Sequence, residues 1–252
     1  MDLLETGSEY RHPWELSRAD CLIKCFLEYS VSNLHPPDTV ADIGCGDLFF
    51  SGQLASFFSG KIFAVDTGFE NDSVENLTNI TVYNDIDQIE NNSIDVVILM
   101  DVLEHVEDLD KFLTGLSKKL TDKAVLFITV PAFMHLFSEH DVFLKHHRRY
   151  NKKSLSAVLA DNGFRIERLF YFYSSLYILR LLQFIVTRLI SKRMKNSDKM
   201  VGNLALWKKE ENSLLTRFIR AILNLDFRAN KTLGRFSLFG LSLFAKCDKG
   251  PV

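Results

Sequence analysis

No Cys-x-x-Cys pair occurs in the sequence, and its four cysteines, Cys21, Cys25, Cys45 and Cys247, are scattered over 252 residues. That scatter excludes the paired-thiol metal and redox motifs and predicts reduced thiols, as in a cytoplasmic protein. Cys21 and Cys25 have the spacing of one helical face. An apolar export signal is missing too, because the opening "MDLLETGSEY" is acidic. No apolar run reaches the about 20 clean residues that a membrane span needs. The nearest, "SSLYILRLLQFIVTRLI", is broken by Arg180, Gln183 and Arg188. No internal repeat is visible. The net charge is only −2, which argues against nucleic-acid binding by charge alone.

What is present is a charge asymmetry. Residues 1–144 hold 8 Lys+Arg against 25 Asp+Glu, a balance of −17; residues 145–252 hold 22 against 7, a balance of +15. The split predicts a basic surface in the C-terminal half. The 252 residues suffice for one large α/β domain or one domain plus an appendage, and at 47% hydrophobic the chain reads as globular.

"ELSRADCLIKCFLEYSVSNL" has helical spacing at Ala19, Leu22, Cys25, Phe26 and Tyr29, and "HPPD" ends it. "TVADIG", "KIFAVD", "NITVYND", "IDVVILMDV", "KAVLFITVP" and "RIERLFYFYS" read as six strands, and "SLFGLSLFAKCDK" contains a seventh. "FFSGQLASFF", "LDKFLTGLSKKL" and "NKKSLSAVLADNGF" read as helices between them. Strands alternating with helices mean crossover units and a mostly parallel sheet.

Gly44 and Gly46 fall where the first strand turns toward a helix. In such sheets that turn borders a ligand crevice, because backbone can approach closely only where no Cβ intrudes. A dinucleotide fingerprint would require a third glycine at position 49, where Phe49 stands. Asp66 closes the second strand, 20 residues after Gly46, and a carboxylate there can accept from both ribose hydroxyls. Asp85 follows the third strand and is placed to accept an adenine amino hydrogen, with Ile86 to pack on the ring. Asp42, before the glycines, would hold the loop or take a charged amino group.

"VADIGCGD", "FAVD", "ND" and "DVVILMDVLEHVEDLDKFL", in that order, resemble the class I S-adenosylmethionine-dependent methyltransferases. The likeness continues through "VPAFMHLFSEHDVFLKHHRRYNKKSLSAVLADNGFRIERLFYFYS", which is similar to a bacterial subgroup near the ubiquinone-biosynthesis type. It covers roughly Trp14 to Tyr173 and the last strand. The resemblance implies a doubly wound, mostly parallel seven-stranded sheet with an antiparallel last strand, Rossmann-like, with S-adenosylmethionine as cofactor. It implies cofactor contacts at Asp42, Gly44, Cys45, Gly46, Asp66, Asp85, Ile86, Met100 and Asp101. The family usually has a further glycine at position 48, where this chain has Leu48.

A sulfonium is an activated methyl donor, so the protein must align a nucleophile, exclude water and, for a hydroxyl acceptor, supply a base. Histidine suits that task near neutral pH. His105, just past the fourth strand, and His140, Asp141 and His146, past the fifth, are the candidates. Asp101, Glu104 and His105 also have the makings of a divalent-cation site, but "DVLEHV" is common in the family without one, and no resident metal is expected.

Residues 174–236 are expected to form a helical insertion before the last strand of a single domain spanning 1–252. Its stretches "SKRMKNSDK" (Lys192, Arg193, Lys195, Lys199) and "LLTRFIRAILNLDFRANKTLGRF" mix basic and apolar residues. That composition suits an anionic membrane surface, a lid over an apolar substrate, or a homodimer contact. The chain is therefore read as transferring a methyl group to a small or lipid-linked acceptor, on oxygen, in the cytoplasm or at the inner face of the membrane. The alternatives are a non-catalytic binding or scaffold protein on the same fold, which Leu48 favours, and an RNA-modifying methyltransferase.

Overall fold

Residues 11–33, 36–69, 79–191 and 213–250 are described in the computed structural model. Short runs of Val, Ile, Phe and Ala, buried on both faces, make the strands, as crossover connections require. They are β1 (Thr39–Ile43), β2 (Lys61–Val65), β3 (Ile80–Tyr83), β4 (Ile94–Met100), β5 (Leu120–Pro131), β6 (Phe164–Phe172) and β7 (Ser242–Lys249). The sheet order is β3-β2-β1-β4-β5-β7-β6. All pairings are parallel except the two made by β7, which runs antiparallel between β5 and β6. This is the expected seven-stranded, Rossmann-like architecture.

Side chains alternate across each strand. Ala41, Ile43, Val97 and Leu99 belong to one hydrophobic cluster, and Val40, Val96 and Ile98 to another, one on each face of the sheet. Helices α3 (Leu109–Lys119) and α5 (Lys152–Asp161) supply Leu113, Leu116, Leu155 and Leu159 to the first cluster. Asp108 caps α3 and Asn151 caps α5 by accepting backbone N–H bonds. The second cluster is covered by α1 (Pro13–Ser32), α2 (Phe49–Ala55) and α7 (Leu214–Leu233). Proline at the first turn of α1 fits a position whose N–H would be unpaired anyway.

Three boundaries differ from the sequence reading. β4 stops at Met100 because Asp101 takes a left-handed conformation, φ 54°. β5 starts at Leu120, where it pairs with Ile94 before the register shifts. The last strand starts at Ser242, because Gly240 lies against the Phe172 backbone at a distance that admits no Cβ. Lys192, Arg193, Lys195 and Lys199, and His35 of the helix stop, lie outside the described residues. The four cysteines are free and buried.

Helices α6 (Ser174–Ser191) and α7 stand between β6 and β7. α7 is bound to α1 rather than set apart from the domain. Arg220 Nε donates to Asp20 Oδ2 at 2.6 Å, Asn224 donates to the same oxygen at 2.9 Å, and Ser17 Oγ donates to Asn224 Oδ1 at 2.7 Å. Phe227 inserts among Phe170, Phe172 and Phe244, with ring centroids 5.4, 5.3 and 5.9 Å away. These contacts fix α7 to the sheet. Phe227→Ala should therefore cost about 3–5 kcal/mol, as for large aromatic truncations in a core, read as a lower denaturant midpoint in chemical unfolding. A loss well below 1 kcal/mol would mean that α7 is not part of the cooperative core.

Candidate functional site

The chain lays β2 and β3 to one side of β1, then β4 and β5 to the other, so the order reverses between β1 and β4. A crevice opens at the carboxyl ends of strands around such a point. Gly44 (φ 72°) and Gly46 (φ 57°) follow β1. The N–H groups of Gly44 and Cys45 donate to Val65 O at 2.7 and 3.2 Å, fastening the loop to the end of β2. A Cβ on Gly44 would meet the Val102 side chain at 2.7 Å, so only glycine lets the loop after β4 come this close.

Asp66 accepts from Gly46 N–H through Oδ2 and from Gly68 N–H through Oδ1, each at 2.9 Å. It braces the glycine loop, and each oxygen keeps a second lone-pair direction for a hydroxyl ligand. Asp42 is buried and accepts from Ser51 Oγ at 2.6 Å, which joins β1 to α2. Burial pushes its pKa up to about 7. Of its two predicted uses, the geometry is that of a loop holder. Cys45 is buried beside it, and burial raises its thiol pKa. Asp85 is exposed and caps the short 3-10 turn Ile86–Gln88, accepting from Asp87 N–H at 2.9 Å. Ile86 and Met100 are half-buried and pack on opposite clusters.

Asp101 accepts from Thr129 Oγ1 at 3.0 Å and forms an ion pair with Arg18, whose guanidinium lies 4.5 Å from the Trp14 ring centroid. Arg11 of the same helical end pairs with Asp47 and covers Phe49. Sequence reading missed both arginines. Their signal was two isolated cations in an acidic half, at the start of the helix that precedes β1. Leu48, at the predicted glycine position, takes φ 66° and packs its side chain on the second cluster. Leu48, Asp101, Phe133 and Tyr173, all with positive φ, follow β1, β4, β5 and β6. Conformations of that kind, costly outside glycine, gather around ligand sites.

A second group lies past β4 and β5. His147 N–H donates to Glu104 O at 2.8 Å, Tyr150 hydroxyl to Leu103 O at 3.0 Å, and Arg148 to Val106 O and Glu107 O at 3.0 and 2.9 Å. These bonds draw the loop after α4 (Glu139–Phe143) onto the loop after β4. They bring His146 to His105, with ring centroids 4.6 Å apart. Asp141 accepts from His146 Nδ1 at 3.0 Å, from Arg149 Nε and Nη2 at 2.7 and 3.1 Å, and from Ser138 N–H at 2.8 Å. Burial would raise its pKa, but the bonds from His146 and Arg149 outweigh this and hold it below the usual carboxylate range. Asp141 is thus fully engaged as the holder of His146. His140, one residue earlier, is exposed on the outer side of α4 and is not brought to this group.

Glu104 is fully buried beside these rings, and neither carboxylate oxygen has a hydrogen-bond partner. Burial pushes its pKa up to about 7, and burial, with His146 and His147 nearby, pushes His105 down to about 4. One ligand atom each from Glu104, His105 and His146 lies within 4.8 Å of the others. The cation site considered from sequence used Asp101 in place of His146; Asp101 is instead committed to Arg18 and Thr129.

A glycine loop after the first strand, an acid after the second and a capped acidic turn after the third, around a reversal of strand order, are what an α/β protein that binds an adenosine-bearing cofactor calls for. The sequence matches the model of the methyltransferase domain family over residues 17–169, and the chain belongs to that family. No curated protein sequence matches it. Among solved structures, it is similar to a SAM-dependent methyltransferase from Archaeoglobus fulgidus (18% identity, TM-score 0.53, covering 96% of this chain and 95% of that one). It is similar to a chain from Galdieria sulphuraria assigned as a sarcosine dimethylglycine methyltransferase (18%, TM-score 0.56, 92% and 86%). It is also similar to phosphoethanolamine N-methyltransferase 2 of Haemonchus contortus in complex with S-adenosyl-L-methionine (17%, TM-score 0.51, 97% and 55%). The chain is an S-adenosylmethionine-dependent methyltransferase.

Asp66→Ala removes the brace on the glycine loop and the acceptor that the sequence reading expects for ribose hydroxyls. S-adenosylmethionine affinity should fall by about 1.5–3 kcal/mol, the scale of hydrogen bonds to a charged group, measured by calorimetry. Unchanged affinity would remove Asp66 from the site.

Asp42 and Glu104 bind a proton more tightly in the folded chain than in the unfolded one. Each contributes stability that is full at low pH and is lost as pH rises toward about 7, at most about 1.4 kcal/mol per pH unit per group. His105, with its lowered pKa, acts in the opposite sense below its ordinary value. The stability of Asp42→Asn relative to the unaltered chain isolates one group. In melts from about pH 5 to 8 that difference should move in favour of the variant as pH rises and level off above the folded pKa. A pH-independent difference would show that Asp42 is already ionised when folded.

Proposed function

We propose that the chain methylates an oxygen of a small or lipid-linked acceptor, with His146 as the base that Asp141 orients. The observation behind this reading is the buried Asp141, which accepts from His146 Nδ1 and from Arg149. An acceptor at Nδ1 places the proton there and leaves Nε2 as the lone-pair nitrogen. S-adenosylmethionine supplies an electrophilic methyl group. His146 takes the acceptor hydroxyl proton, Asp141 stabilises the imidazolium that results, and Arg149 keeps Asp141 ionised. His105, held neutral by burial, is the second nitrogen beside the reacting hydroxyl. A subgroup near the ubiquinone-biosynthesis type, and a setting in the cytoplasm or at the inner membrane face, are part of the same proposal.

The lid role proposed for the insertion is supported by its first turns. Tyr177 hydroxyl and His135 Nε2 are 3.3 Å apart, the Tyr177 ring is 5.4 Å from that of Phe133, and Arg180 donates to Ser138 Oγ at 3.4 Å. α6 thus touches the loop that carries Asp141. Glu104, with two unpartnered oxygens, favours a second reading in which Glu104, His105 and His146 hold a divalent cation that acidifies the acceptor hydroxyl.

Incubation with methyl-labelled S-adenosylmethionine and fractionated cell extract tests the proposal. Label should enter a small-molecule or lipid fraction. His146→Ala should reduce it by about 10²–10⁴ with cofactor affinity kept, and the exposed His140→Ala should change little. Loss of transfer on chelation, restored by a divalent ion, selects the cation reading. Label that enters only RNA sinks the proposed acceptor class.

A further inference from the structure

We propose that the outward face of α6 and α7 docks on an anionic lipid bilayer. This rests on the reading of α6 as a border of the acceptor region.

A helix that covers a core normally turns a polar face to water. α7 does not. Its inward face, with Leu223, Phe227 and Asn230 buried, lies on the sheet and α1. On a 3.6-residue turn, Leu214, Phe218, Ile222 and Leu225 form one stripe on the side away from that face. They are 83%, 64%, 43% and 67% exposed. Ile178, Leu182 and Val186 repeat the stripe on α6 and are about half exposed. Single exposed apolar residues are ordinary, but two helical stripes joined in one insertion are not.

Charge decides what covers the face. Arg217 and Arg228 lie eleven residues apart, so both border the apolar stripe on the same flank, and both are exposed. The acid of α7, Asp226, is occupied by the first turn of α6, accepting from Ser174 and Ser175 N–H at 3.0 and 2.8 Å. α6 has no acid in its sequence. The two helices therefore present apolar stripes, that of α7 edged by cations, and neither helix supplies a carboxylate to answer them beyond the occupied Asp226. A second copy in an isologous pair would bring the same cation-edged face, with no acid from α6 to answer it, whereas anionic headgroups complement Arg217 and Arg228. Among the described residues no helix is long and apolar enough to cross a membrane, so the helices would lie in the interfacial plane. α6 turns Tyr177 and Arg180 away from its stripe, toward the loop of Asp141. Docking through the stripe would therefore set the acceptor region behind one helix from the lipid surface.

Flotation of the full chain with phosphatidylglycerol-containing vesicles, and with pure phosphatidylcholine vesicles, is the test. The chain should float with the anionic vesicles only and be released by salt. Phe218→Asp with Leu225→Asp should reduce the floated fraction at least tenfold, and Arg217→Glu with Arg228→Glu about tenfold. Melting temperature and S-adenosylmethionine affinity, measured on the same samples, should be unchanged, which shows that the variants fold. The proposal is overturned if the chain stays soluble at low salt, or if it floats equally whichever residues are replaced. It is also overturned if light scattering shows a dimer that Phe218→Asp dissociates while no flotation occurs; the face is then a contact between copies. Flotation without transfer of label to any small or lipid fraction leaves docking standing and sinks the acceptor reading instead.

Discussion

The carboxylate of Asp141 has no access to solvent, and its charge is sustained by the Arg149 guanidinium and the His146 ring. Without Arg149 the buried carboxylate would keep only His146 and Ser138 to hold its charge, which costs far more than the pair contributes when intact. The ion pair thus favours the arrangement seen for the loop after β5. From that arrangement follow the short α4 that Asp141 caps, the approach of residues 146–150 to the loop after β4, and the meeting of His146 with His105 and Glu104. α6 also reaches this loop, through Arg180, so the same ion pair helps to set where the insertion begins.

The cofactor side is organised by another means. There the backbone does most of the positioning: glycines with positive φ let loops approach, and Asp66 ties two of them through N–H bonds. Arg18 of α1 and Arg11 just before it reach across to Asp101 and Asp47. The N-terminal helix is thus joined to the loops after β1 and β4, in a half of the sequence with few cations to spare.

The strands and their order of appearance were legible because period and composition are local properties. Gly44, Gly46 and Asp66 were legible because a strand end followed by glycine or an acid has few purposes. The partnership of His146 with Asp141 and Arg149 was not, because "SEHD" and "HHRRY" read as loop, while the hydrogen bonds that fold them together go to Leu103, Glu104 and Val106 some forty residues earlier. The weight given to His140 had the same origin: sequence shows that it follows β5, not that α4 turns it outward. Asp101 looked like a ligand for a cation because the helix-opening Arg18 that claims it lies more than eighty residues away. At Leu48 the sequence shows the departure from the family's glycine but not the side chain's direction, which is toward the core.

The position of β7 has a bearing on how the chain is made. The seventh strand in chain order is not an edge strand but an interior one, flanked by β5 and β6. Until it arrives, both neighbours present unpaired backbone, a template for strand addition by other chains. α1 likewise waits for α7, some two hundred residues later, to cover it. Contacts so distant in sequence slow folding and extend the life of partly built states. A chain that has made β5 and β6 but not β7 thus carries a gap one strand in from the edge of its sheet, and strand addition by another chain would be aimed at that gap.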